Sequence, residues 1–310
     1  MSALTLKGPY WVTVRQHRRV LWAVPALIGV GLVVMVALRV WSAYPTYDHL
    51  HRPILTPGDD MLRGLIQSAT KSLPFLPLLV GAFVAGPMVA RELESGTWRL
   101  ALTQSTTARA WLGSKVLVAA AVSVLGSLAL IGIYRLGWAR AADTYGLHWY
   151  DIGVYESTGP TLVASCLLGV AVAALVGQLV RRTLPAMAVT GLLTGLVLLI
   201  IGALRWSFVP VVGVTAPYTV DAESLLPPSS KRMGTGLVST TGERFSGYYC
   251  PPEAGTRGIC RDDVNVTASY ADFHPASRYW PIQLIETSIL LVLAAAVLYA
   301  AFRLVHKRHP

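Results

Sequence analysis

Six stretches of this chain each run for about 20 residues with almost no charge, the length that crosses a bilayer core of about 30 Å as a helix. They are Val20–Val40, Leu73–Ala90, Val116–Trp138, Thr161–Val180, Leu184–Leu204 and Gln283–Leu304. No other feature narrows the fold so far. Backbone polar groups in hydrocarbon must be paired within their own segment or within a closed barrel. Barrel strands alternate in polarity over about ten residues, and the run 186–202 shows no alternation. The spans are therefore helices, and the fold class is an all-α polytopic membrane protein with six transmembrane helices. Pro25, Pro74, Pro77, Pro87 and Pro185 fall in or near spans, where membrane helices tolerate them. The Pro74/Pro77 pair predicts a bent or delayed second span. The first run is longer than the h-region of a signal peptide, and its basic flank starts late, at Arg15, Arg18 and Arg19, so it reads as a retained span.

The charges then fix an orientation. Charged residues are only 14% of the chain, too few to cover a water-exposed globule of this size. With both termini on the cytoplasmic side, the inner segments hold 13 basic residues and only two acids, Glu92 and Glu94. The outer segments hold 13 of each sign, and Glu286 lies at the start of the last span. The surplus inside follows the positive-inside rule. It places the chain in the plasma (inner) membrane as a multi-pass protein. The net charge of +10 is thus an inner-face property and not a nucleic-acid surface.

Between the spans, residues 1–19 read as an amphipathic elbow. Leu4, Leu6, Tyr10, Trp11 and Val14 face lipid while Arg15, Arg18 and Arg19 meet headgroups; an ordinary basic flank is the plainer alternative. Residues 20–204 carry spans one to five with an inner loop at 91–114, and residues 283–310 carry span six and a cytoplasmic tail. The polar segments 41–72 and 139–160 read as outer loops. Arg205 to Pro281, 77 residues, is too long for a simple connection and predicts a small extracytoplasmic subdomain at 205–282. Within it the apolar piece 208–220 is too short to span and reads as re-entrant or interfacial. Cys250 and Cys260 lie on the oxidising side, which favours a disulfide. A zinc pair is the rival, but His274 is the lone histidine nearby and no metal-ligand set is evident. Cys166 reads as a small packing residue.

Catalytic and nucleotide-binding signatures are missing. None of the five lysines follows a glycine, so no phosphate-cradling loop is present. There is no zinc-protease His-Glu pair and no Gly-x-Ser-x-Gly elbow. The chain itself therefore reads as a non-enzyme with no cofactor. Ionisable residues at membrane depth are scarce: Glu286 reads as a solvated or salt-bridged interfacial acid, and Arg135 as a snorkelling one.

The inner loop after span two is the most informative segment. Arg91, Glu92, Leu93 and Glu94 precede Ser95, Gly96, Thr97, Trp98 and Arg99, and the loop continues through Ser105 and Arg109 to Lys115. Two acids stand where the charge rule favours bases. Trp98, Leu102 and Ser105 share one face at helical spacing. Two readings stand here, a docking knob for a cytosolic partner or a helix lying on headgroups. The run Arg-Glu-Leu-Glu-x-Gly-Thr, then a leucine, then Ser105 and Arg109, then Lys115, resembles type-2 ATP-binding-cassette (ABC) exporter permeases. The elbow residues Arg15, Gln16, His17 and Arg18 resemble actinobacterial members.

The resemblance implies that this loop is the coupling helix. Glu92, Glu94, Gly96, Thr97, Trp98, Arg99 and Leu100 would then contact two copies of a cytosolic ATPase that binds ATP and magnesium. It implies a second permease copy, a homodimer, and export; the scarcity of buried charge suggests an amphipathic or apolar cargo such as a drug, peptide or lipid. Phe75 and Phe83 of span two and Leu192 and Leu196 of span five are the candidate path-lining residues. The outer segment is longer than is common in that family. A membrane receptor or resistance factor that captures a ligand with the outer loop is the alternative.

Overall fold

The computed structural model describes residues 9–16, 18–43, 46–47, 53–54, 56–99, 107–246 and 266–308. Cys250, Cys260, Leu100, Leu102 and Ser105 lie outside the described residues. The chain divides into two compact units, one of Met1–Arg205 with Gln283–Pro310 and one of Trp206–Ile282.

In the first unit a short helix α1 (Pro9–Gln16) precedes α2 (Arg18–Trp41). Trp11, Val12 and Arg15 of α1 are exposed, and its buried Thr13 hydroxyl meets that of Ser114 at 3.3 Å. Residues 41–72 are not simply a loop, as expected from their polarity. Helix α3 (Pro57–Ser72) occupies the second half of that segment. Its start is locally encoded. Asp59 N–H donates to the Thr56 hydroxyl at 3.1 Å, the Asp59 carboxylate accepts from Thr56 N–H at 3.0 Å, and Pro57 sits in the first turn. Proline and glycine here open a helix instead of breaking one. The polar residues form one face, while Leu62 and Ile66 are fully buried with Met35 and Tyr134.

The second span is neither cut nor delayed by its prolines; it is irregular. A 3-10 turn at Leu73–Phe75 leads into α4 (Leu76–Leu79), then a π-helical stretch at Val80–Ala85, then α5 (Gly86–Ser95). The wide turn closes with Gly86 N–H donating to Gly81 C=O. Together α3 to α5 form one continuous apolar element of 39 residues. Helix α6 (Ala108–Tyr145) is 38 residues long. The Thr107 hydroxyl caps its start by accepting from Ala110 N–H at 3.2 Å, and Gly146 ends it at φ 62°. After it come α7 (Val154–Thr158), α8 (Thr161–Val180), α9 (Thr183–Leu204) and α10 (Tyr279–Arg308).

Helix α8 is the axis of the first unit. Of its 20 residues 15 are buried, against α9, α6, α5 and the π-helical stretch. Small residues permit this. A Cβ on Gly169 would lie 2.6 Å from the Pro77 carbonyl, and one on Gly81 would lie 3.0 Å from the Gly169 carbonyl. Close backbone approach at small residues is how helices associate where lipid removes the hydrophobic drive between them. Cys166 is buried on the same helix as a packing residue. The outward faces of the other spans are apolar, with Trp22, Leu27 and Val33 exposed on α2 and Leu184, Leu192 and Leu199 exposed on α9. Among the described residues six helices are long and apolar enough to cross a membrane, so the chain is a multi-pass membrane protein.

The second unit carries an antiparallel sheet of four strands, β3 (Val212–Pro217), β4 (Lys231–Ser239), β5 (Arg244–Ser246) and β6 (Val266–His274), in the order β3-β6-β4-β5. The apolar piece at 208–220 contains a strand with its turns. Val212–Pro217 alternates in exposure and pairs along its whole length with β6. Ala216, Ala222 and Ala271 form a small core. A Cβ on Gly236 would lie 1.9 Å from the Phe245 carbonyl, so β4 and β5 need glycine there. His274 at the end of β6 is fully buried, with Nε2 3.1 Å from the Trp206 carbonyl. Burial lowers its pKa below the usual imidazole value, so the neutral ring is favoured. A minimal hairpin of β1 (Thr46–Tyr47) and β2 (Pro53–Ile54) belongs to the first unit.

Candidate functional site

The residues that the motif singled out gather where α5 ends. Gly96 terminates α5 with φ 73° and ψ 0°, a left-handed conformation that suits glycine. Arg99 N–H then donates to the Gly96 carbonyl at 3.2 Å, turning the chain. The Ser95 and Thr97 hydroxyls lie 2.9 Å apart across that turn. Arg91, Ser95, Thr97 and Arg99 are exposed.

Trp98 does not project freely. It packs half-buried against the cluster of Val89, Trp111, Leu112, Ala174, Ala301 and Val305, beside Leu93. The Arg99 guanidinium lies 5.8 Å from the Trp98 ring centre. Between docking knob and headgroup helix, the described part of this segment is thus a folded-back end of the bundle.

The two unusual acids are both engaged within the chain. Glu92 accepts from Trp111 Nε1 at 2.7 Å and from Lys115 Nζ at 2.6 Å. Lys115 is only 3% exposed, so the pair places a buried ammonium beside the one carboxylate that neutralises it. This ties α5 to the first two turns of α6. Glu94 reaches the other way and accepts from the Thr183 backbone N–H at 2.9 Å and from its hydroxyl. Thr183 is the first residue of α9, whose N-cap Arg182 makes no side-chain cap. A carboxylate from another helix thus does the capping, where the helix dipole favours negative charge. The inner segment is welded to spans three and five through two acids two residues apart in α5's last turns.

The other end of the first unit holds a cluster that the sequence did not reveal. Arg205, at the end of α9, donates through Nε to Glu286 at 2.7 Å and through Nη2 to its second oxygen at 3.0 Å. Its Nη1 pairs with Glu156 of α7, and its guanidinium stacks 4.0 Å from the Tyr155 ring centre. Glu286 is 2% exposed and Arg205 is 7%. Of the two states expected for Glu286, the salt-bridged one holds, but in the interior and not at a wet interface. Beside it the buried Gln283 amide donates to the Tyr155 carbonyl at 2.7 Å and accepts from the Thr161 hydroxyl. Gly159 leaves room for that amide; a Cβ there would meet it at 2.2 Å. Arg135 does not merely snorkel, since its Nε donates to the Thr158 carbonyl at 2.6 Å. A signal did exist. Arg205 directly follows span five and Glu286 opens span six, so topology sets opposite charges at the same depth.

The candidate path residues Phe75, Phe83, Leu192 and Leu196 are not brought into an enclosed passage. They are 59%, 64%, 73% and 55% exposed on the outward faces of α9 and the second span. Among the described residues no group of three or more His, Cys, Asp or Glu side chains could hold a metal.

With that geometry in place, comparison with known proteins is direct. Residues 55–205 match the family described as ABC-2 membrane transporter related. The matched region takes in α3 through α9, the Gly81/Gly169 crossing and both ties of the inner segment. Over that stretch, just under half of its length, the chain is similar to ABC-2-type permeases. No curated relative and no solved structure matches it.

Proposed function

We propose that the chain is the membrane subunit of an exporter driven by ATP hydrolysis in separate cytosolic subunits, with the α5 end as the coupling segment. The observation that carries this reading is the pair of ties at that end. Glu92 on Trp111 and Lys115, and Glu94 on Thr183, join one short segment to the starts of two spans. A displacement of the segment by an ATPase would be passed to both spans, provided the membrane domain has two states of similar free energy. Exposed Arg91, Thr97 and Arg99 would face the ATPase, with Leu100 following. Glu92, Glu94, Gly96 and Trp98 would hold the segment's shape.

Two ATPase copies would serve two permease copies. The exposed apolar faces carrying Phe75, Phe83, Leu192 and Leu196 would meet at the second copy and line the path for an amphipathic or apolar cargo. Orientation follows the charge surplus, with both termini cytoplasmic. Export is tested by co-expressing the chain with an ABC ATPase and assaying hydrolysis in nanodiscs. E92Q/E94Q should retain ATPase co-purification but lose most cargo-stimulated hydrolysis. Full stimulation in that variant would remove the acids from coupling, and failure of any ATPase to associate would remove the reading itself.

The separate outer unit with its own sheet favours a second reading, ligand capture by a receptor or resistance factor. Binding of a labelled compound without ATP-dependent efflux would select it.

A further inference from the structure

Several hydroxyls in the helices of the first unit bond the carbonyl four residues back. Thr70 donates to Ile66, Ser123 to Ala119, Ser127 to Ser123 and Ser288 to Leu284, at 2.6 to 2.8 Å. Thr190 and Thr194 of α9 do not. Both are 0% exposed, and among the described residues neither hydroxyl has a hydrogen-bond partner. They lie one turn apart on the same face of the helix. Hydrocarbon supplies no water to make up a missing bond, so a buried hydroxyl without a partner calls for an explanation.

The neighbouring span carries an acceptor in the same condition. In the π-helical stretch Val80–Ala85 the wide turn sends Gly86 N–H to the Gly81 carbonyl. Pro87 has no N–H. The Ala82 carbonyl thus loses both of its helical donors, residue 86 of a regular turn and residue 87 of a wide one. Ala82 is buried. The two helices meet along an antiparallel seam. A Cβ on Gly86 would lie 3.7 Å from Met187 Cγ, one on Gly191 would lie 3.9 Å from Ala82 Cβ, and one on Gly195 would lie 3.4 Å from Leu78 Cδ2. Residues 187, 191 and 195 of α9 therefore face 86, 82 and 78 in turn. In that register Thr190 stands beside the seam at the level of residue 83. The Ala82 carbonyl points to that level, because helix carbonyls point along the axis towards the C-terminus. An unpaired donor and an unpaired acceptor are neighbours in adjoining helices, with no bond between them. Thr194 lies one turn further along, beside residue 79.

We propose that α9 rolls on the second span between two states, and that in the second state the Thr190 hydroxyl donates to the Ala82 carbonyl. Thr190 lies about 100° around the helix from Gly191 of the seam, on the opposite side from the exposed Leu192 and Leu196. A partial roll that turns Thr190 towards the seam carries those leucines away from it. Gly86, Gly191 and Gly195 place no side chain in the way, and small residues at such contacts let backbones approach closely. The bond gained in the second state offsets packing lost at the seam, which keeps the two states close in free energy. The wide turn is essential to this. A regular turn would give the Ala82 carbonyl the Gly86 N–H and leave Thr190 no acceptor. Only one premise comes from the exporter reading, that the membrane unit has two states.

The test is fluorine NMR of the full chain in nanodiscs, without any ATPase, with para-fluorophenylalanine at all six phenylalanines. Phe83, at the level of Thr190, is assigned by the signal lost in F83L. It should give two resonances, one for each state. T190V should lower the share of the second state roughly threefold, the worth of one interhelical hydrogen bond in a membrane domain, while T190S should keep it. P87A restores an N–H to the wide turn and should lower the share as much. T190V/P87A should lower it no further than either change alone, because both remove the same bond. T194V removes the other unpaired hydroxyl and should leave the ratio as in the parent. T190V should melt no lower than the parent, since a methyl replaces an unpaired buried hydroxyl. A single Phe83 resonance in the parent overturns the proposal. So does a ratio unmoved by T190V, an additive loss in T190V/P87A, or an equal loss in T194V. A lower melting temperature for T190V also overturns it, because the hydroxyl would then be bonded already in the first state. None of these readouts involves an ATPase, so a failure here leaves ATPase docking untouched, and a failure of docking leaves these results standing.

Discussion

The two ends of the membrane unit use the same kind of contact, a carboxylate on a cation, in different surroundings. At the outer end Arg205, Glu286 and Glu156 join three elements, α9, α10 and α7, in a site almost sealed from solvent. At the inner end Glu92 holds buried Lys115 but is itself partly exposed, and Glu94 caps α9 from the surface. The contrast teaches where a polar contact is a commitment and where it is an adjustable tie. Removing one partner of a buried set leaves an uncompensated charge, whereas water readily replaces an exposed partner. The Arg205 end is thus held by charges that water reaches poorly, and the α5 end by contacts that water can partly replace.

That contrast can be broken, starting with its largest expected effect. R205A should destabilise the membrane unit by about 3–5 kcal/mol, since it strands two carboxylates in the interior; thermal unfolding in detergent reads it. An unchanged melting temperature would mean the cluster is wet. R205K keeps the charge but loses the paired geometry on Glu286, so it should fall between R205A and the parent.

At the inner end E92Q should cost about 2 kcal/mol, less than R205A, because water reaches the Glu92 side and can solvate the stranded Lys115 ammonium. A larger loss than that of R205A would invert the comparison. Smaller again is a pH effect in the outer unit. His274 has a folded pKa below its unfolded value near 6.5, so unfolding takes up a proton in acid. The neutral ring's contribution is present above about pH 6.5 and falls as pH drops through it. The opening free energy of β6, taken from hydrogen exchange after correction for the intrinsic pH dependence of amide exchange, should fall as pH drops below about 6.5, and H274Q should flatten that dependence. Last, E94Q should leave the melting temperature nearly unchanged while quickening amide exchange at Thr183, because only an exposed cap is weakened. A melting shift as large as that of E92Q would show that the cap is structural.

Much of this was legible in the sequence, for physical reasons that differ by element. Span four, Thr161–Val180, matches its helix residue for residue, because a helix buried on all sides has no polar face to blur its limits. Helix α3 was missed because an amphipathic helix rich in Ser, Thr and Asp has the composition of a loop; its capping residues Thr56 and Asp59 were the available signal. The sheet was hidden for a different reason. Its strands pair at separations such as Val212 with Phe273, which no local pattern reports. The acids at Glu92 and Glu94 stood out by their sign alone. Their partners did not, since Trp111, Lys115 and Thr183 arrive by folding.

The crossing of Gly81 and Gly169 has a geometric consequence. Two backbones that touch at one point act as a fulcrum, and the rest of α8 is a lever. From Gly169 to Val180 that arm is about 16 Å at 1.5 Å per residue. A tilt of about 10° at the crossing moves the Arg181 end by about 3 Å, comparable to the length of a hydrogen bond. A tilt of that size is enough to make or release two contacts at this end, Glu94 accepting from Thr183 N–H at 2.9 Å and Arg308 Nη1 donating to the Gln178 carbonyl at 2.7 Å.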